Sequence, residues 1–154
     1  MSQLDGFFSL RTPEDLLRKL ETDWERLRAA DPASVEAQYA AFDFFVTAGH
    51  MPEWLWQDRG GSEADYRTYD DHALIWHITN GAKHFRADPQ RHTTVRDTRV
   101  QPGVFDANIF DPSVFDVPRL VVDLENGTSV PVMEVAERIV KHWRKRILEG
   151  RDSR

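Results

Sequence analysis

The sequence predicts a mainly α (α+β) protein, a four-helix up-and-down bundle with a β-hairpin and an aromatic-rich loop inserted before the C-terminal helix. Three observations lead there. Apolar residues recur at three and four over long stretches on both sides of the insertion. Asp-Pro pairs at 31–32 and 88–89 break those stretches. Between 94 and 132, β-branched residues cluster around one Asn-Gly pair.

The 154 residues suffice for one domain with a full core, divided into three N-terminal helices (12–87), the β insertion (94–132) and a last helix (133–149). The chain has no cysteine, which excludes disulfides, thiolate zinc sites and a cysteine nucleophile. It shows neither a basic segment leading into an apolar run nor an 18-residue apolar stretch, so the expectation is a cytoplasmic protein without membrane contact. A net charge of −6 argues against a surface coated in nucleic acid and leaves room only for a local basic patch.

Thr12-Pro13-Glu14-Asp15 starts the first helix: a hydroxyl to cap free amides, a proline suited to the first turn, and acids that complement the helix dipole. Leu16, Leu17, Leu20, Trp24 and Leu27 form its stripe, and it runs to the region of Ala30. Asp31 caps the second helix, 33–49, with Val35, Tyr39, Phe42, Phe45 and Val46 inward and Gly49 and Pro52 closing it. Residues 51–56, MPEWLW, form a separate turn over the end of the bundle.

The third helix, Tyr66 to Phe85, carries the polar residues a plain core helix does not need. Its buried face comprises Tyr66, Tyr69, Ala73, Leu74, Ile78, Gly81, Ala82 and Phe85, with His77, Asn80 and His84 at its edge. After it, 94–100 reads as a strand, and 119–124 with 129–132 as a hairpin closed by a type I′ turn at Asn126-Gly127. An apolar-Phe-Asp triplet repeats at Val104, Ile109 and Val114, which reads as a loop whose Phe side chains plug the domain, since the spacing lacks the ligand pattern of an EF-hand. The last helix turns Val132, Val135, Ala136, Ile139, Val140, Trp143 and Ile147 inward and ends at Gly150.

Candidate chemistry centres on Asn80 and His84, which a spacing of four sets side by side, with Lys83 on the flank. An amide to orient, an imidazole that titrates near neutrality and a cation for an anionic group are the parts of acid–base phosphodiester chemistry. The plainer alternative makes Asn80 and His84 a core hydrogen-bond network. The cluster around Arg144, Lys145 and Arg146 is a candidate surface for RNA or another phosphate-bearing ligand, or else a solvated helix end. No HExxH spacing occurs and no cofactor is expected; the one conceivable metal set is Asp43, His50 and His84, drawn from two helices.

The segments AFDFFVTAGHM (41–51) and NGAKHF (80–85) resemble an uncharacterised bacterial protein family with FFVTA-H-M and NGAKHF signatures. More distantly, Asn-x-x-x-His on an inner helix is similar to the HEPN superfamily. That resemblance implies metal-independent RNA cleavage or RNA binding in a defence or toxin–antitoxin setting, with homodimers formed across the motif. It also implies that Asn80 is the motif's polar residue and His84 its catalytic histidine. The motif's arginine falls on Thr79, a departure that leaves Lys83 as substitute. Arg86 and His92 match an Arg-x5-His spacing, but Asp88-Pro89 intervenes and places the two in a turn, which discounts the match. A non-catalytic module acting through a protein partner or a homodimer is the alternative function.

Overall fold

The computed structural model describes residues 5–103 and 118–150. Its elements are α1 (Pro13–Ala29), α2 (Val35–Arg59), a short 3-10 helix (Glu63–Arg67), α3 (His72–His84), β1 (Val95–Gln101), β2 (Arg119–Leu124), β3 (Ser129–Pro131) and α4 (Val132–Glu149). The fold is mainly helical with a three-stranded antiparallel sheet of order β1-β2-β3. The triplets at Val104, Ile109 and Val114 lie outside the described residues.

The two amphipathic helices form as their sequences dictate. Thr12 and Asp15 make a reciprocal capping box, the Thr12 hydroxyl accepting from the Asp15 amide at 3.1 Å and the Asp15 carboxylate from the Thr12 amide at 3.0 Å. In α4 all seven residues expected inward are buried, Trp143 completely. At its C-terminal end, Arg59 donates to the carbonyls of Arg146 and Ile147 at 3.3 and 3.2 Å, which satisfies acceptors that no amide reaches.

Helix α2 departs from expectation in extent and in face. It does not stop at Gly49 but runs for 25 residues through Pro52, absorbing MPEWLW, and its cap is Ser34, which accepts from the Ala37 amide at 3.1 Å. Pro52 and Leu55 are buried against the other helices, a gain that outweighs the hydrogen bond a mid-helix proline forfeits. Its buried face is Ala37, Ala40, Ala41, Phe44, Phe45, Ala48 and Met51, while Val35, Tyr39 and Phe42 stay exposed. The small alanines allow close helix contact, and that decides which of two overlapping apolar stripes goes inside. Two polar side chains are enclosed with them: Asp23 of α1, held by Lys19 at 2.6 Å, accepts from the Thr47 hydroxyl of α2 at 2.8 Å.

The expected third helix is two pieces. Residues 63–67 form the 3-10 helix and α3 begins only at His72, although Tyr66 and Tyr69 still pack on the core. Leu74 and Ile75 are buried, whereas Phe85, expected inward, is 89% exposed. The hairpin turn also differs: Gly127 has φ 87° but Asn126 does not share its positive φ, and the Gly127 amide donates to the Leu124 carbonyl at 3.0 Å. That is a type I turn followed by a glycine bulge, not a type I′ turn.

Helix α3 lies on α2 at Gly49. A Cβ there would come within 2.0 Å of the Thr79 hydroxyl, which itself sits 2.8 Å from the Ile75 carbonyl and 3.2 Å from the Phe45 carbonyl of α2. Gly49→Ala is expected to lower unfolding free energy by about 1–3 kcal/mol in urea titration, with Thr79→Ala restoring part of the loss. An unchanged midpoint would show that the two helices are free to move apart.

Candidate functional site

Trp76, Asn80 and His84 recur at intervals of four, so α3 presents them as one stripe along its side. Directly after His84 the chain turns back through Phe85, whose φ of 66° with ψ of −37° is a conformation that residues other than glycine rarely adopt. The following loop then folds along the stripe. Asp88 stitches it down: its amide donates to Asn80 Oδ1 at 3.2 Å, and its carbonyl accepts from the amides of Arg91 at 3.1 Å and His92 at 2.9 Å. Its carboxylate accepts from the Gln90 amide at 3.0 Å.

Between stripe and loop is an open cavity of about 370 Å³. Trp76, Asn80 and His84 line it from α3; Arg86, Asp88, Arg91 and His92 line it from the loop. Asp88 lies 3.7 Å from Arg91 and neutralises part of its charge, and two guanidinium groups against one carboxylate leave the cavity basic in an acidic protein. Asn80 Oδ1 is occupied by the Asp88 amide, so its amide nitrogen, which has no hydrogen-bond partner among the described residues, is the donor left for a ligand.

His84 is exposed at the rim, not set at the edge of a buried face as the periodicity suggested. His92 is the opposite, 7% exposed and enclosed by Trp76, at 5.2 Å edge to face, and by His77, at 5.5 Å. Trp76 also carries the Arg67 guanidinium over its ring at 4.8 Å. On the far flank His77 accepts the Val95 amide on Nδ1 at 3.0 Å, which ties α3 to the start of β1. Burial, and then the neighbouring His92, hold His77 below the usual histidine range against the opposing pull of Glu125.

The other candidate residues lie elsewhere. Lys83 is exposed and outside the cavity; its charge acts on His50, which partial burial and Glu53 influence more strongly. The metal set does not converge: Asp43 pairs with Arg26 at 3.0 Å, and among the described residues no group of three His, Asp or Glu side chains is placed to hold an ion. On α4 the cations point apart and each has a partner. Arg144 pairs with Glu21, Lys145 lies 3.8 Å from Glu149, and Arg146 lies over the Tyr66 ring at 5.0 Å.

Two residues of the cavity, Trp76 and Arg91, were not singled out by the sequence, and two more, Arg86 and His92, were matched by spacing and set aside. The four-residue spacing of Trp76, Asn80 and His84 was a usable signal. The turn expected at Asp88-Pro89 is present, but it is no reason to discount Arg86 and His92, because it reverses the chain and sets both against Asn80 and His84.

Burial acts on two other histidines as it does on His77. His72, whose two ring nitrogens are buried without partners, and His142, stacked on Tyr69 at 4.6 Å, are also held below the usual range, chiefly by burial. Such groups bind protons more readily in the unfolded chain, so their contribution to stability is complete above the ordinary histidine pKa of about 6.5 and is lost as pH falls through the lower folded values. The denaturation midpoint should therefore fall between neutral and mildly acidic pH. Replacing His77 with Gln should flatten that slope, and an unchanged slope would remove His77 from the linkage.

Comparison of the chain with protein-family models, with curated proteins and with solved structures finds no match, so the chemistry of the cavity stands on its own geometry.

Proposed function

We propose that the protein binds RNA in the cavity between α3 and the 86–92 loop and cleaves it without a metal, as a HEPN-like ribonuclease. The observation that carries this reading is the convergence of Asn80, His84, Arg86 and Arg91 on one cavity. His84 transfers a proton at the scissile phosphate and the Asn80 amide orients the phosphate from the side. Arg86 and Arg91 take the phosphate-holding role, since a guanidinium fork matches two phosphate oxygens and Lys83 lies outside the cavity. Trp76 offers an edge of ring surface to a neighbouring base. An up-and-down arrangement of the four helices, expected from the periodicity of the chain, and a homodimer formed across the motif, implied by the HEPN resemblance, belong to the same proposal.

Incubation with single-stranded RNA in a chelating buffer tests this. His84→Ala should slow cleavage by about 10²–10⁴-fold, the range of general acid–base catalysis. Arg86→Ala and Arg91→Ala should weaken binding and its salt dependence, and Lys83→Ala should leave both intact. Equal cleavage by wild type and His84→Ala, or none by either, sinks the reading.

A second reading has its own observation. An apolar groove of about 390 Å³ runs between α2 and the sheet, lined by Tyr39, Phe42, Phe45, Val100 and Leu120. Tyr39 and Phe42 are 63% and 53% exposed there. A non-catalytic module acting through a protein partner or a homodimer would use such a face. It predicts an oligomer, or a complex, that Phe42→Asp dissociates; a monomer that binds no protein removes its support.

A further inference from the structure

We propose that His92 is a second proton-transfer residue of the cavity, which makes the centre a two-histidine one acting on a ribose 2′-hydroxyl beside the scissile phosphate. This rests on the ribonuclease reading above and adds to it the second acid–base group and the bond that forms. His92 is 7% exposed, yet it lines the cavity and its ring has no hydrogen-bond partner among the described residues. Neither of its nitrogens is among the sealed polar atoms without partners, as both nitrogens of His72 are, so they keep solvent contact where the ring lines the cavity. The backbone holds the residue in place, through the 2.9 Å bond from its amide to the Asp88 carbonyl, and the rings of Trp76 and His77 fix the plane on either side. The ring is positioned and enclosed by its neighbours, while its nitrogens take no partner among the described residues.

Two histidines on one cavity supply both halves of a transesterification. His92, the enclosed one, takes the proton of the 2′-hydroxyl; the 2′-oxygen bonds to phosphorus as the bond from phosphorus to the 5′-oxygen breaks. His84, at the open rim where the departing strand leaves, gives its proton to that 5′-oxygen. The products are a 2′,3′-cyclic phosphate and a 5′-hydroxyl, and no water is consumed. The imidazoles end with protonation states exchanged and reset through solvent. Arg86 and Arg91 hold the non-bridging oxygens as charge builds on them. The charged and titratable groups around His92 are Arg86, Asp88 and Arg91 from its own loop and His77 and His84 from α3, with Glu125 acting on His77.

The full chain is tested on three single strands of one sequence: all-ribose, all-deoxyribose, and ribose with sulfur replacing the scissile 5′-oxygen. Wild type should cut the ribose strand to cyclic phosphate ends and bind the deoxyribose strand without cutting it. His84→Gln and His92→Gln should each lose about 10²–10⁴-fold in cleavage while still binding the deoxyribose strand. A sulfur leaving group needs no proton, so it should restore His84→Gln and not His92→Gln. His92→Gln cutting at the wild-type rate, losing deoxyribose binding, or being rescued by sulfur overturns the proposal. No cleavage by wild type overturns instead the ribonuclease reading on which it rests.

Discussion

The candidate site depends first on a missing methyl group. Because residue 49 has no Cβ, Thr79 can press against α2, and its hydroxyl lies within reach of the Phe45 carbonyl there. That contact fixes both the separation and the rotation of α3, and rotation decides which way Trp76, Asn80 and His84 face. The same constraint explains why α2 buries alanines: a stripe of Val35, Tyr39 and Phe42 against the other helices would hold them apart. The packing that builds the core therefore also aims the stripe from which the cavity is made.

The second half of the cavity depends on a reversal that the local chain does not favour. Phe85 adopts φ 66° with its ring 89% exposed, a sparsely populated backbone state that costs a non-glycine residue about 1–3 kcal/mol and is not offset by burial of the ring. Asp88 supplies the compensation, since its backbone and carboxylate organise the loop and its amide meets Asn80. Asn80 thus has two duties: its oxygen holds the loop in place and its nitrogen faces a ligand. A change at Asn80 removes the loop's anchor together with a donor, so its loss does not report on ligand contact alone. The arginines do not share that ambiguity, because among the described residues their side chains make no bond that holds the loop to α3, whereas the His92 ring packs on Trp76 and His77.

How much of this could be read from the chain follows from which forces are local. The ends of α1 and the inner face of α4 were legible, because a capping box and an unmixed heptad-like stripe each specify one answer. The face of α2 was not, since two apolar stripes overlap on it and only tertiary fit selects the alanine one. Pro52 reads as a stop in isolation, and burial overrides it. In the same way Asn126-Gly127 announces a hairpin without fixing its turn type. Asn80 and His84 were visible as a pair by spacing, whereas Arg86, Arg91 and His92 join them through a chain reversal that periodicity cannot express. Lys83 is the converse case, adjacent to His84 in sequence and exposed on the flank as expected, yet outside the lining of the cavity.

The central claim is that a phosphodiester sits between α3 and the 86–92 loop and not at the other cationic surfaces. Three histidine environments make this directly measurable: His84 and His92 report on the cavity, His50 on the surroundings of Lys83, and His142 on those of Arg146. Titration of the full chain with an uncleavable deoxyribose dinucleotide, followed by the nitrogen resonances of the imidazole rings, separates them. The account predicts that His84 and His92 shift together and saturate at one ligand concentration while His50 and His142 stay in place. Shifts confined to His142 or His50, or none at any histidine, would contradict it.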